Sequence, residues 1–123
     1  MGEARVLVVD DELRILKFLR ASLLAHGYEV ITATNGKEAL ELARLKQPDI
    51  MLLDMFLPVM DGFEVLQKLR SFSRLPVIAF SASNSVRDRV LNFGANDFVA
   101  KPFAPDDLIK TIEALLARRT GAE

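Results

Sequence analysis

Charged and hydroxyl groups stand directly after short apolar runs at several points of this chain. Asp10-Asp11 follows Val6-Leu7-Val8-Val9, Asp54 follows Ile50-Met51-Leu52-Leu53, Ser81 follows Val77-Ile78-Ala79-Phe80, and Lys101 follows Phe98-Val99-Ala100. Runs of this length suit parallel strands covered on both faces, whose polar ends emerge where the strand leaves the core. Open parallel sheets bind ligands outside the carboxyl ends of their strands, so the groups would share one edge. Carboxylates roughly 5 Å apart repel by about 3 kcal/mol per pair at an effective dielectric near 20, and such a cluster invites a cation. An all-oxygen set of this kind suits Mg²⁺, which keeps several waters and leaves room for a phosphate. Taken singly, each residue has an ordinary reading. Asp54 is then a turn or cap aspartate, Asp11 an N-cap, Ser81 a turn serine, and Lys101 a solvated lysine.

The elements that would hold these groups in place can be read in order. Arg5-Val6-Leu7-Val8-Val9 is a first strand. Leu13, Leu16, Leu19 and Leu23, widened by Ile15 and Phe18, form a helical stripe that ends at His26-Gly27. Glu29 to Ala33 is a more mixed strand, as an edge would be. Asn35-Gly36-Lys37-Glu38 is a capping-box variant for a helix to about Lys46, closed by Gln47-Pro48. Asp61-Gly62-Phe63-Glu64 repeats the box for a third helix to Leu69 or Arg70. Pro76 to Phe80 is a fourth strand, and Ser85 to Asn92 a short, weakly apolar helix closed by Gly94 and expected to be loosely held. Asp97 to Ala100 is a brief fifth strand. Pro105, Asp106 and Asp107 open a last helix with Leu108, Ile112, Leu115 and Leu116 inward, to about Arg118.

Five strands alternating with five helices predict a doubly wound parallel α/β sheet with right-handed crossovers. The most apolar strands are the first, third and fourth. The order 2-1-3-4-5, taken from flavodoxin-like folds, places the mixed ones at the edges. With 123 residues, 50% apolar and 27% charged, the chain fits one domain over 1–123, and about 118–123 reads as a tail or the start of a linker. Sixteen basic against 17 acidic residues leave no electrostatic footprint for direct nucleic acid or membrane binding. The absence of cysteine excludes disulfides and thiol chemistry. No leader segment or membrane-length apolar run is present, which points to the cytoplasm.

In its motifs the chain resembles the receiver domain of two-component response regulators over essentially its whole length. The matching segments are Val8-Val9-Asp10-Asp11-Glu12, Leu53-Asp54 with Leu57-Pro58-Val59-Met60-Asp61-Gly62, Ser81-Ala82, Gly94-Ala95-Asn96-Asp97-Phe98 and Lys101-Pro102-Phe103. The resemblance implies that Asp54 accepts a phosphoryl group from a phosphohistidine on a histidine kinase or phosphotransfer protein. Mg²⁺ (or Mn²⁺) would be held by Asp11, Asp54 and the Phe56 backbone carbonyl, with Asp10 acting through water. Lys101 would pair with the phosphate, and the N–H groups of Met55, Phe56 and Ala82 would cradle it. Ser81 and Phe98 match the hydroxyl and aromatic of the family's switch, although Phe98 has no hydroxyl of its own where the family often has tyrosine. Lys101-Pro102 looks like the family's cis-peptide turn.

The implied output is a reset of the surface of helix four, strand five and helix five, with a phosphorylation-dependent homodimer through that face. The chain would be a signalling switch that catalyses its own phosphorylation and slow autodephosphorylation, and not a turnover enzyme. An aspartate-dependent phosphohydrolase is a rival, but it needs an acid two residues after the nucleophile, where Phe56 stands. A flavodoxin-like cofactor binder lacks its phosphate loop after strand one, and a phosphate-independent docking domain would have a degraded site. His26, the only histidine, reads as a helix-end residue suited to the dipole. Met51, Met55 and Met60 read as packing.

Overall fold

The computed structural model describes residues 3–121, with side chains to residue 118. Its strands are β1 (Arg5–Val9), β2 (Glu29–Ala33), β3 (Ile50–Asp54), β4 (Val77–Ser81) and β5 (Asp97–Ala100). Its helices are α1 (Leu13–Ala25), α2 (Gly36–Leu45), α3 (Gly62–Arg70), α4 (Arg87–Asn92) and α5 (Pro105–Gly121), with a 3₁₀ turn at Asn84–Val86. The sheet is parallel throughout, in the order β2-β1-β3-β4-β5. The edge assignment follows the expected pattern: β1, β3 and β4 are buried almost end to end, whereas β2 begins exposed.

Strand alternation divides the core in two. Leu7, Val9, Met51, Leu53, Val77, Ala79 and Phe98 face a layer built from α2, α3 and α4. Val6, Val8, Ile50, Leu52, Ile78 and Phe80 face α1 and α5 through Leu16, Leu19, Leu23, Leu108 and Ile112. A continuous apolar strand is what such a sheet requires, since both of its faces are covered.

The helix starts depart from the sequence reading in informative ways. Asn35 Oδ1 accepts from the Glu38 N–H at 2.8 Å, but the Glu38 carboxylate returns to the Thr34 N–H at 2.9 Å, one residue earlier than a reciprocal box needs. Asp61 Oδ1 accepts from the Glu64 N–H at 3.0 Å, while Glu64 uses its carboxylate on Lys68 at 3.3 Å. Asp11 is not the cap of α1. That position belongs to Glu12, without a side-chain bond, because Asp10 Oδ1 takes the Glu12 N–H at 2.9 Å and sets the turn one residue later. The expected helix from Ser85 begins instead as the 3₁₀ turn, so α4 proper has six residues. Helix α5 runs past Arg118 to Gly121, and the end of the expected tail, Ala122-Glu123, lies outside the described residues.

At the helix ends, His26 Nδ1–H donates to the Ser22 carbonyl at 2.9 Å, a C-terminal role as expected. Gln47, before Pro48, takes φ 46° and stops α2 in the left-handed region.

Two glycines should respond differently to alanine. A Cβ on Gly62 would stand 2.6 Å from the Met55 backbone, whereas at Gly27 nothing lies within 4 Å and only its φ of +88° opposes a side chain. Urea unfolding is expected to show Gly62→Ala destabilised by about 1–3 kcal/mol. Gly27→Ala should lose about 1 kcal/mol, through backbone strain alone.

Candidate functional site

The strand register brings the polar groups together. Val9 pairs with Leu53, Asp54 with Phe80, and Ser81 with Ala100, so Asp10, Asp54, Ser81 and Lys101 all lie at the carboxyl edge of β1, β3, β4 and β5. Carboxylate oxygens of Asp10, Asp11 and Asp54 lie within 4.8 Å of one another. Lys101 Nζ reaches over them, 3.5 Å from Asp10 Oδ2 and 3.7 Å from Asp54 Oδ2. Asp10 is fully buried, Asp54 is 5% exposed and Ser81 1% exposed, while Asp11 stands at the open side.

The electrostatics follow from this burial. Loss of hydration pushes the Asp54 carboxyl up to about 6, and the charges of Asp10 and Asp11 push the same way. The N–H of Phe56, 3.1 Å from Asp54 Oδ1, and the Lys101 ammonium oppose the rise. Asp10 is likewise raised, chiefly by burial, against the Glu12 N–H and Lys101. One ammonium among three carboxylates leaves an excess of negative charge facing the open side. Three oxygen donors converging at that distance fit a hard divalent cation.

The remaining expected site residues fall around this centre. The Ser81 hydroxyl accepts from the Ser83 N–H at 3.0 Å, and the Ser81 carbonyl accepts from the Lys101 N–H at 2.8 Å. Ala82 opens the exposed loop that leads to α4. Phe56 is 58% exposed beside Asp54. The Met55 N–H is given to the Phe80 carbonyl at 3.1 Å. Its side chain is core, as Met51 is, and Met60 packs beside it. Phe98 is 4% exposed and lies within the core, its ring already turned inward. The Lys101-Pro102 bond is cis.

Two supports were not visible as such in the sequence. Phe80 lies 5.0 Å beneath Lys101 Nζ and meets Phe103 edge to face at 5.9 Å, so an aromatic floor fixes the ammonium. The alternation of β4 would have placed Phe80 on the α1/α5 face, but only the register puts it under Lys101. Asn96 Oδ1 accepts from both the Val77 N–H at 2.9 Å and Arg70 at 3.2 Å, tying the entry of β5 to β4. A cavity of about 1010 Å³ lies elsewhere, lined by Arg44, Asp49, Phe72 and Arg74 at the amino ends of β3 and β4. It contains none of the converging carboxylates.

Two buried carboxylates, a third at the open side and a lysine, at the carboxyl edge of a 2-1-3-4-5 sheet, place the chain among doubly wound α/β domains with an acidic site at the strand ends. Residues 6–113 match the family described as the response regulator receiver domain, and the chain belongs to it. The chain is 42% identical over 120 residues to the probable transcriptional regulator ycf27 of Cyanophora paradoxa, covering 96% of this chain and 50% of that protein. It is 44% identical over 119 residues to the transcriptional regulatory protein KdpE of Mycobacterium tuberculosis, covering 95% and 53%. It thus spans about half the length of these curated relatives. Among solved structures, the receiver domain of Francisella response regulator 1452 superposes with a TM-score of 0.90 at 33% identity, covering 95% of this chain and 99% of that one. The CheY-like receiver domain protein of Methanospirillum hungatei gives 0.92 at 30%, covering 99% and 100%. Receiver domains have a histidine kinase as partner and generally bind Mg²⁺ at an acidic cluster such as this one. Among the described residues, no helix is long and apolar enough to cross a membrane.

The raised Asp54 carboxyl has a consequence for stability. Between 3.8, its ordinary value, and about 6, the unfolded chain releases a proton that the folded chain keeps, so stability falls as pH rises through this window. Above it the penalty is full; below it the penalty is absent. In metal-free buffer Asp54→Asn is expected to be more stable than the native chain at pH 7.5, by on the order of 2 kcal/mol, with the gain gone by about pH 4. Thermal unfolding across pH measures it.

Proposed function

We propose that the chain is a phosphorylation-controlled switch in which Asp54 is the phosphoacceptor. The observation that carries this reading is the position of its carboxylate, nearly buried at the end of β3, 3.7 Å from Lys101 and within 4.8 Å of Asp10 and Asp11. An Asp54 oxygen attacks the phosphorus of a partner's phosphohistidine. A P–O bond forms, the P–N bond breaks, and the electron pair leaves with the imidazole, which takes up a proton.

The ionised carboxylate is the nucleophile, and Lys101 is placed to meet the incoming phosphoryl oxygens with opposite charge. The Phe56 N–H, already aimed at Asp54 Oδ1, and the amide of Ala82 in the loop after β4 supply further donors. Asp11, Asp54 and the Phe56 carbonyl would hold Mg²⁺, with Asp10 behind them through water. When bound, the ion neutralises charge on the transferring group. Hydrolysis of the acyl phosphate is slow in this reading, because Phe56 stands where a general acid would be needed.

The new dianionic charge draws the Ser81 hydroxyl from its bond with Ser83 and pulls Lys101 toward the phosphate. With Phe98 already inside, its part is to lock behind the displaced serine. The face of α4, β5 and α5 is reset and pairs with a second copy. Any nucleic-acid contact belongs to another part of a full protein, since this chain carries a net charge of −1.

Labelling by acetyl phosphate or a cognate kinase is expected to disappear in Asp54→Ala. Undiminished labelling of that variant sinks the assignment. Size-exclusion chromatography with and without beryllofluoride should show a monomer shifting to a dimer, and the shift should be absent in the same variant.

A further inference from the structure

Helix α4 is the most lightly anchored element around the site. Val90 is its buried residue, its amino end emerges from a 3₁₀ turn, and its N-cap makes no side-chain bond. Its carboxyl end is fixed, because Arg70 of α3 donates to the Gly94 carbonyl from Nε at 3.1 Å and from Nη2 at 2.8 Å. Between the two ends one cluster spans the gap to α3. The Arg89 guanidinium lies 4.0 Å from the Phe63 ring centroid and 5.8 Å from that of Phe93, and the two rings meet edge to face at 5.1 Å and 70°. Among the described residues Arg89 makes no ion pair, so it joins the helices through the stack, alongside the Arg70 bonds to Gly94.

Phe63 is close to the chemistry. It follows Gly62, whose N–H donates to the Met55 carbonyl at 3.0 Å, one residue beyond Asp54. Resting on the switch reading above, we propose that Phe63, Arg89 and Phe93 are positioning residues that hold α4 against α3 and restrain the movement of α4 that Ser81 drives. A phosphoryl group that draws Ser81 toward Asp54 also pulls the loop of residues 82–86, which leads directly into α4. Helix α4 must then move against α3, with Gly94 as its fixed end. The stack crosses that boundary and opposes the movement, so it sets how readily phosphorylation is answered.

The test compares the native chain with Arg89→Ala, Phe63→Leu, the double variant and Arg89→Lys, measuring beryllofluoride affinity in Mg²⁺ and amide exchange at residues 87–93. Arg89 is exposed, so its replacement leaves the fold intact. Both single variants are expected to bind beryllofluoride about three- to tenfold more tightly and to exchange faster at 87–93, with β1 unchanged. The double variant should gain no more than the larger single one, and Arg89→Lys, which keeps a cation near the rings, should return most of the effect. Faster exchange with unchanged affinity would make the stack merely structural and overturn the proposal, as would no change in either. If the native chain itself fails to bind beryllofluoride, it is the phosphoacceptor reading that falls, and the restraint falls with it.

Discussion

The structure turns on an electrostatic conflict held at one edge of the sheet. Asp10, Asp11 and Asp54 offer oxygens within 4.8 Å, and Lys101 answers only part of their charge. In water such a group would disperse. Here it cannot, because Asp10 and Asp54 are continuous with strands whose preceding residues are wholly buried. The apolar energy of the sheet holds the carboxylates together, at about 1.5–3 kcal/mol for each large side chain buried. The remaining charge imbalance is what suits the site to a hard cation.

The surroundings keep that conflict from relaxing. Backbone donors are assigned one to a carboxylate, Glu12 to Asp10 and Phe56 to Asp54, so both side chains are oriented before any ligand arrives. Lys101 rests above the Phe80 ring, and Phe103 supports that ring from the side. On the opposite side of the sheet, α2 and α3 are closely packed, with Gly36 set against Val65 and Met60. Helix α4 has one buried residue, Val90, and meets α3 through the stack of Phe63, Arg89 and Phe93. An oriented site and a short helix with a single buried residue are therefore adjacent, an arrangement in which a local change of charge can be answered by a larger movement.

Much of this was visible in the residues. Strand composition separated central from edge strands, and Asn35 and Asp61 marked the starts of α2 and α3 because a short polar side chain before an apolar stripe has few other uses. Where the structure departs from the pattern, bonds to neighbours decide. An N-cap was one reading of Asp11, but Glu12 holds that position, after a turn in which Asp10 Oδ1 accepts from the Glu12 N–H. The Met55 N–H bonds the Phe80 carbonyl of β4, a partner no local pattern names. The stretch from Ser85 lacked apolar residues to hold a full turn of α-helix, and a 3₁₀ turn formed there.

What the sequence determined by itself was the period and punctuation of the chain: which runs are buried on both faces, where helices begin, and which polar residue ends each strand. These are local properties, set by side-chain type and by bonds spanning a few residues. Only the tertiary structure decided distances and competition. That Lys101 bridges Asp10 and Asp54, that Phe80 lies beneath it, and that Arg89 joins Phe63 to Phe93 depend on strand register and helix placement across wide separations in the chain. No local pattern encodes them, because each contact is the joint result of every element that packs between its partners.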